Sequence, residues 1–394
     1  MDRFVASVGV ACCAGLAIAL SPGVAAADDT SDFYSRPVAD LAQRADGDIL
    51  RSAPQDKIPG ADTNLILYRS TGSSGQPIAV SGYTITPDVP WSGPGPRPVV
   101  AYAPGTSGMA DRCASSRGIG TSPDTLTVAP LLAQGYQVVV TDFDGLGTPG
   151  GHTYINRRAA GNALLDAARA AVSTTGDPTT PVLVFGYSEG GHAAGAAAEL
   201  AATHAPALNL KGSYVGAPPA DARLNIDNVD GTPLSGTLFY VIDGLINAYP
   251  DRAEAIRAMF NEDGLRALDA SQEYCVSDSE ALGGVESRNL TRDGRSLKEY
   301  MTEEPIASLL AENVVGFTAP KRPVFLAHGV NDDTVPVIQS RVLAQRWRDA
   351  GATDITVREY QFPVLPMAGL NHLPGGIQAY PDALPWMRER LNKN

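Results

Sequence analysis

Short apolar segments alternate along the chain with segments of helical composition, and this alternation restricts the possible folds more than any other feature. The apolar segments are bounded by Gly and Pro, and several are apolar throughout, as strands buried on both faces of a sheet are. The predicted strands are 64–68, 79–86, 98–103, 137–142, 182–187, 212–216, 323–327 and 355–362, and the predicted helices are 125–134, 159–172, 190–203 and 337–349. The pattern predicts an α/β fold with a mostly parallel central sheet flanked by helices.

One long segment, residues 219–320, interrupts the alternation because it contains no apolar β segment. Four of its apolar residues repeat at helical spacing: Leu238, Val241, Ile242 and Leu245. This spacing gives a helix one apolar face. We predict that the segment is a helical cap inserted between a first core part, residues 28–218, and a second, residues 321–394. A small separate domain is the alternative.

The first 27 residues have the parts of a secretory signal peptide in the usual order. Arg3 precedes an apolar run from Phe4 to Leu20, and Ala25-Ala26-Ala27 offers a small-residue cleavage site. We expect residues 1–27 to be removed and the mature protein to be secreted and soluble, without stable insertion in a membrane. An uncleaved membrane anchor is the alternative, although the apolar run is marginal for a span.

Charge excludes one large class of partner. Asp and Glu outnumber Lys and Arg by 43 to 30, which gives a net charge of −13, and no run rich in Lys or Arg occurs. An acidic surface repels the phosphate backbone, so we predict no nucleic-acid partner. The sequence carries no indication of the oligomeric state.

Cleavage of the leader would leave two cysteines, Cys113 and Cys275. In an oxidising compartment two cysteines pair more often than they stay free, and two unrelated buried thiols are the alternative. Neither lies in a C-x-x-C pair or at metal-ligand spacing, so we predict no metal site.

The motif that carries chemistry is G-x-S-x-G, formed by Gly186 to Gly190 around Ser188. It follows an apolar strand segment and opens a helical one, which is the context of a nucleophilic serine on a sharp turn. We expect side chains at Gly186 and Gly190 to collide with the neighbouring strand and helix, so both positions require glycine. The amide of Glu189, at the helix N-terminus, would donate to a developing oxyanion.

The base and the acid follow from chain order, which in α/β-hydrolases is serine, acid, histidine. Of the five histidines, only His372 lies after the last predicted strand. Asp332 follows the strand 323–327 in the pattern H-G-x-x-D-x-x-V-P, and its neighbour Asp333 is the rival. The acid must hold the imidazole by a hydrogen bond.

A second oxyanion donor is expected from the loop after the strand 98–103. Thr106 in the sequence Pro104 to Gly108 is our choice, and Ser107 is the second candidate. The alternative is a simple glycine turn.

A different glycine motif, Gly145 to Gly150, matches G-x-G-x-x-G. A dinucleotide site needs these glycines to open a helix directly, whereas here Pro149, Gly150 and Gly151 continue the loop. We therefore predict no nucleotide site and no cofactor.

Several segments together resemble the secretory lipases of the lipase A type. They are residues 185–193 (FGYSEGGHA), 209–220 (NLKGSYVGAPPA), 304–310 (EPIASLL), 142–147 (DFDGLG), the Asp332 segment and the loop before His372. The resemblance implies an α/β-hydrolase fold with a helical cap that hydrolyses acylglycerols or simpler carboxylic esters without a cofactor. It carries over Ser188, Asp332 and His372 as the triad, and it implies that Cys113 pairs with Cys275.

The resemblance does not extend to a C-terminal flap, because after His372 we predict one helix, 380–391, and nothing more. Interfacial activation and a preference for long acyl chains are therefore not implied. The apolar stripe of the cap would either line an acyl pocket or simply pack on the sheet. Two other functions fit the same fold: a secreted serine peptidase or aminopeptidase, and a binding protein that has lost the chemistry.

Overall fold

A computed structural model describes residues 30–392, so the predicted signal peptide, residues 1–27, lies outside the described residues. Within the described range, no helix combines the length and the apolar character needed to cross a bilayer.

The described chain forms one nine-stranded sheet. Its strands are β1 (Ile49–Gln55), β2 (Ala61–Thr71), β3 (Pro77–Pro87), β4 (Val99–Ala103), β5 (Gln137–Thr141), β6 (Val182–Tyr187), β7 (Leu210–Gly216), β8 (Val324–Gly329) and β9 (Ile355–Tyr360). The spatial order is β1-β2-β3-β5-β4-β6-β7-β8-β9. Strands β5, β4, β6, β7, β8 and β9 are parallel, whereas β1, β2 and β3 extend the sheet in antiparallel fashion. The predicted mostly parallel sheet is confirmed.

Thirteen α-helices accompany these strands within residues 30–392. They are α1 (Thr30–Ser35), α2 (Pro123–Ala133), α3 (Arg157–Thr175), α4 (Glu189–His204), α5 (Ile226–Val229), α6 (Gly236–Ala248), α7 (Ala253–Arg257), α8 (Glu262–Ser271), α9 (Leu297–Tyr300), α10 (Ile306–Glu312), α11 (Ile338–Asp349), α12 (Leu373–Gln378) and α13 (Tyr380–Leu391). Helix α13 has the predicted bounds. Helix α12 was not predicted, because Pro374 and two glycines resemble a loop; proline is nevertheless well tolerated in the first turn of a helix.

Two apolar layers hold the helices on the sheet. On one face, the alanine-rich helices α3 and α4 and helix α11 pack against strand side chains such as Val184 and Leu326. On the other face, α2 and α13 cover side chains that include Phe185 and Phe325. Because the central strands are buried on both sides, the carboxyl ends of the parallel strands form the edge where loops can build a site.

Helices α5 to α10 lie between β7 and β8 and share an apolar cluster of their own. Three members of the predicted stripe, Leu238, Ile242 and Leu245, are buried there against residues such as Ile256 and Leu268. The stripe thus packs mainly within the helical segment. The domain boundaries at residues 219 and 320 remain predictions.

The loop after β4 is attached covalently to this helical segment. Cys113 and Cys275 form a disulfide bond, as the resemblance implied. Around the bond, the amide of Met109 donates to the carbonyl of Tyr274 at 2.8 Å, and the amide of Val276 donates to the carbonyl of Ser107 at 2.8 Å. The helical segment is therefore held against the end of the predicted oxyanion loop and the residues that follow it.

Candidate functional site

Ser188 stands on a sharp turn between β6 and α4. Its backbone has φ 60° and ψ −124°, a conformation that residues other than glycine rarely adopt. Its amide donates to the carbonyl of Gly216 at 2.9 Å, which anchors the turn to the neighbouring strand β7. The serine side chain is partly exposed at the carboxyl edge of the sheet. This is the arrangement that the G-x-S-x-G motif predicts.

The glycines of the motif are required by close backbone approaches. A Cβ atom on Gly186 would lie 2.0 Å from the carbonyl oxygen of Gly190 in α4. A Cβ atom on Gly190 would lie 2.0 Å from the carbonyl oxygen of Ala103, at the end of β4. Both separations are far shorter than any van der Waals contact, so the predicted collisions with helix and strand are present.

His372 and Asp332 meet at the same edge. His372 ends a short 3₁₀ helix, Leu370–His372, and its Nδ1 lies 2.6 Å from Oδ2 of Asp332. The other carboxylate oxygen accepts the amides of Thr334 at 3.0 Å and Val335 at 2.8 Å. Nε2 of His372 is buried and has no hydrogen-bond partner among the described residues. The ring is thus oriented from one side, and its second nitrogen is left free to exchange a proton.

The charge of Asp332 is stabilised by two imidazole rings. Burial alone would raise the pKa of this carboxyl, but His372 and His328 outweigh it and hold the pKa well below its usual range. Nε2 of His328 lies 3.4 Å from Oδ2 of Asp332 and 2.7 Å from the carbonyl of Val335. We did not predict this role for His328. Its position at the start of the pattern H-G-x-x-D was the available signal.

Asp333, the alternative candidate for the acid, binds the loop before His372 and not the imidazole ring. Its Oδ2 accepts the amide of Gly369 at 3.0 Å and the side-chain amide of Asn371 at 2.9 Å. The carbonyl of His372 in turn accepts the hydroxyl of Tyr187 at 2.6 Å. Asp333 and Tyr187 therefore fasten the loop that carries His372, while Asp332 alone of the two acids bonds to its ring.

The two predicted oxyanion donors belong to segments that adjoin Ser188. Glu189 is the first residue of α4, so its amide is one of the free N–H groups at the helix N-terminus. The loop after β4 runs alongside, because a Cβ atom on Gly105 would lie 3.9 Å from Cβ of Ser188. Thr106 follows in that loop, and its hydroxyl is 2.8 Å from the hydroxyl of Tyr154. Sequence reasoning missed Tyr154 because nothing in its surroundings suggests this contact.

Two other features bear on cofactors. Asp46, Asp166 and His204 are close enough together to be metal ligands, but Nη1 of Arg169 lies 2.6 Å from Asp166, so this group is an ion-pair network.

The glycine motif at 145–150 forms a tight turn, since a Cβ atom on Gly145 would lie 2.1 Å from the carbonyl oxygen of Gly151. The motif does not open a helix.

Comparisons with known proteins identify the family and the fold of the chain. The family model of secretory lipases matches residues 111–394. Lipase 5 of Candida albicans is 28% identical over 92% of this chain and 81% of its own. A probable inactive lipase of Mycobacterium tuberculosis is 26% identical over 92% of this chain and 82% of its own. The X-ray structure of Candida antarctica lipase A superposes with a TM-score of 0.79 at 24% identity, over 92% of this chain and 85% of that one. This likeness establishes an α/β-hydrolase fold.

Proposed function

Because the chain belongs to the secretory lipase family and is a carboxylic ester hydrolase, we propose that Ser188, His372 and Asp332 are its catalytic triad. The observation that carries the proposal is the hydrogen bonding of the two ring nitrogens of His372. One ring nitrogen is bonded to a buried carboxylate, and the other is buried, at the edge where Ser188 stands, without a hydrogen-bond partner in the described part of the chain. A general base needs this combination of a fixed tautomer and a free nitrogen.

The proposed reaction is a two-step acyl transfer. His372 takes the hydroxyl proton of Ser188 as its Oγ attacks the ester carbonyl, and the protonated imidazole returns this proton to the departing alcohol. Asp332 orients the imidazole and stabilises its positive charge. The amides of Glu189 and Thr106 donate to the oxyanion of each tetrahedral intermediate. Water, deprotonated by His372, then attacks the acyl-enzyme, and the imidazolium returns the proton to Oγ of Ser188 as the carboxylic acid leaves.

We also propose that the segment 219–320 caps this site and that the leader, residues 1–27, is removed on secretion. Contacts of helix α6 support the cap: the ring of Tyr240 packs edge-on against Tyr154 at 5.9 Å, and Tyr154 bonds to Thr106. The disulfide holds the same segment near that loop. Acylglycerols and simpler carboxylic esters are the substrates that the family relationship supports.

Activity on esters and on amides separates this proposal from a peptidase. We expect the purified protein to hydrolyse p-nitrophenyl esters and to leave aminoacyl p-nitroanilides intact, with acyl preference measured from acetyl to stearoyl. One relative is named a probable inactive lipase, so the first measurement is turnover of the wild-type chain. Faster cleavage of anilides than of esters would replace the proposal with a peptidase, and absence of both activities together with no labelling by a fluorophosphonate would refute the triad.

A further inference from the structure

The loop between β5 and α3, residues 142–156, contacts both segments that carry the proposed oxyanion amides. It contains the G-x-G-x-x-G motif, to which the proposed reaction gives no part. Two buried side chains beyond that motif make the contacts: His152 reaches Glu189, and Tyr154 reaches Thr106. The loop therefore connects the two halves of the proposed oxyanion hole through its own side chains.

The first contact is a buried ion pair. Oε1 of Glu189 lies 2.8 Å from Nε2 of His152, and the two side chains are 3% and 2% exposed. Nδ1 of His152 lies 3.0 Å from the carbonyl of Asp144, which can only accept, so this nitrogen carries a hydrogen. Nε2 then faces a carboxylate oxygen, and the contact is favourable only when a further proton lies between them, as it does for an imidazolium beside a carboxylate.

The charge of this pair keeps the Glu189 side chain in one place. Burial alone would lower the pKa of His152, but the carboxylate of Glu189 outweighs the burial and raises the pKa above its usual value. A buried charge without its partner is costly, so the carboxylate stays on the ring. Since Glu189 is the first residue of α4, the pair also holds the turn from which the proposed oxyanion amide projects.

His152 can hold Glu189 because the imidazole is itself fixed on three sides. Its ring stacks on Phe143 with the ring centroids 5.8 Å apart. Its Nδ1 is bonded to the carbonyl of Asp144, and its own backbone carbonyl accepts the side-chain amide of Asn247 in α6 at 3.0 Å. The position of the ring is thus set by the loop and by the helical segment together.

The second contact reaches the other proposed oxyanion donor. The hydroxyl of Tyr154 lies 2.8 Å from the hydroxyl of Thr106, whose side chain is only half-buried. The ring of Tyr154 packs edge-on against His152 and against Tyr240 of α6, at 5.9 Å in each case. Thr106 is therefore bonded to a group that cannot move independently of its neighbours.

The backbone that presents both rings is strained directly after Tyr154. Ile155 has φ 47°, a left-handed conformation that a β-branched residue rarely adopts. Such strain persists only where the surrounding contacts over-determine the backbone, and it is concentrated at functional sites. One such contact is visible here, since a Cβ atom on Gly244 of α6 would lie 2.6 Å from the carbonyl oxygen of Tyr154. The loop is thus held in one conformation at the point where its two rings project.

We infer that His152 and Tyr154 are positioning residues that fix the spacing of the two oxyanion amides, those of Glu189 and Thr106. The inference rests on the proposed function, since it assigns these residues a part in the same reaction. Neither side chain needs to touch the substrate. A small shift of an oxyanion donor weakens a bond that is made only in the transition state, so the effect should appear in kcat and not in KM.

Tyr154→Phe tests the second contact, because it removes only the hydroxyl that bonds to Thr106. We expect kcat on p-nitrophenyl butyrate to fall about 10-fold at unchanged KM. The affinity for a trifluoromethyl ketone should fall by the same factor. Oγ of Ser188 adds to the carbonyl carbon of this inhibitor while His372 takes the proton, and the resulting oxyanion needs the same two amides.

Two further variants control this measurement. Tyr240→Phe removes another tyrosine hydroxyl, bonded to the carbonyl of Cys275 at 3.0 Å, and should leave kcat and inhibitor affinity unchanged. Thr106→Val removes the other hydroxyl of the contact and retains the amide. Because either change breaks the same contact, the double variant of Tyr154→Phe with Thr106→Val should lose no more than the single variants do.

His152 gives a second series. His152→Gln keeps a donor toward Glu189 and should retain more turnover than His152→Ala, with inhibitor affinity following kcat in each. The matched control is His204→Gln at the last residue of α4, about 20 Å along the helix from Glu189. Nε2 of His204 also faces a buried carboxylate, that of Asp166 at 2.9 Å, and its replacement should leave kcat and inhibitor affinity unchanged.

The outcomes separate this inference from the proposed function. Wild-type kcat and inhibitor affinity in both Tyr154→Phe and His152→Ala would overturn the inference, even with a lowered melting temperature, because the role would then be purely structural. A rise in KM at unchanged kcat, or losses that add in full in the double variant, would also overturn it. A wild type without turnover of p-nitrophenyl butyrate and without fluorophosphonate labelling would instead refute the proposed function, and the inference with it.

Discussion

Replacement of Ser188 by Ala is expected to abolish ester hydrolysis, with a loss in kcat of at least about 10⁴-fold, while the protein stays folded. The substitution removes a single oxygen from a side chain that is partly exposed, so little packing is lost. The backbone strain at φ 60° is already present in the wild type and is not relieved or increased by alanine. Turnover of p-nitrophenyl butyrate, labelling by a fluorophosphonate and the melting temperature together measure the result.

Ser107→Ala is the matched control for this prediction. Ser107 lies in the neighbouring loop, where its carbonyl accepts the amide of Val276, a bond that the substitution retains. We expect it to keep both turnover and labelling. Hydrolysis retained by Ser188→Ala, or labelling lost only in Ser107→Ala, would remove Ser188 from its proposed role.

The second large effect is expected for Asp332→Asn, with a loss in kcat of about 10⁴-fold. Asparagine has almost the same shape, but its amide can turn an N–H toward Nδ1 of His372, which favours the wrong tautomer of the ring. It also leaves the imidazolium without a counter-charge at a contact of 2.6 Å. Steady-state kinetics on a soluble ester, with circular dichroism as a check on folding, measure the change.

Asp333→Asn is the comparison variant, because the two acids are adjacent in the chain and bind different groups. The Asp333 carboxylate accepts two N–H groups of the loop before His372, so its loss should loosen that loop and lower kcat far less than Asp332→Asn does. If Asp333→Asn has the larger effect, the assignment of the acid is wrong.

Much of this architecture follows from local pattern, because buried parallel strands are apolar throughout and sharp turns need glycine. Strand β6 and the turn at Ser188 are examples, and so is helix α13. Strand β1 was missed because Ile49–Gln55 is a partly exposed edge strand with proline and polar residues, which breaks the apolar signal. The antiparallel direction of β1, β2 and β3 was likewise not predictable from local pattern, because it depends on which strands pair.

The residue types of the candidate site follow from the sequence, whereas the side chains that contact them do not. Chain order identifies a serine, an acid and a histidine, yet it cannot decide between Asp332 and Asp333, because the loop backbone determines which carboxylate faces the ring. The pairing of His152 with Glu189 joins residues that are 37 positions apart, and no spacing rule connects them. The exposure of the apolar side chains in the loop around His372 depends in the same way on how that loop lies on the folded core.

The disulfide between Cys113 and Cys275 has a mechanical consequence. The helical segment leaves the sheet after β7 and returns to it before β8, and this covalent bond tethers it a third time, to the loop after β4. A body anchored at three separate points cannot swing as a single rigid flap about one hinge. If this segment caps the site as proposed, substrate entry uses small internal displacements of individual helices, and reduction of the disulfide gives the segment a freedom of movement that the oxidised form lacks.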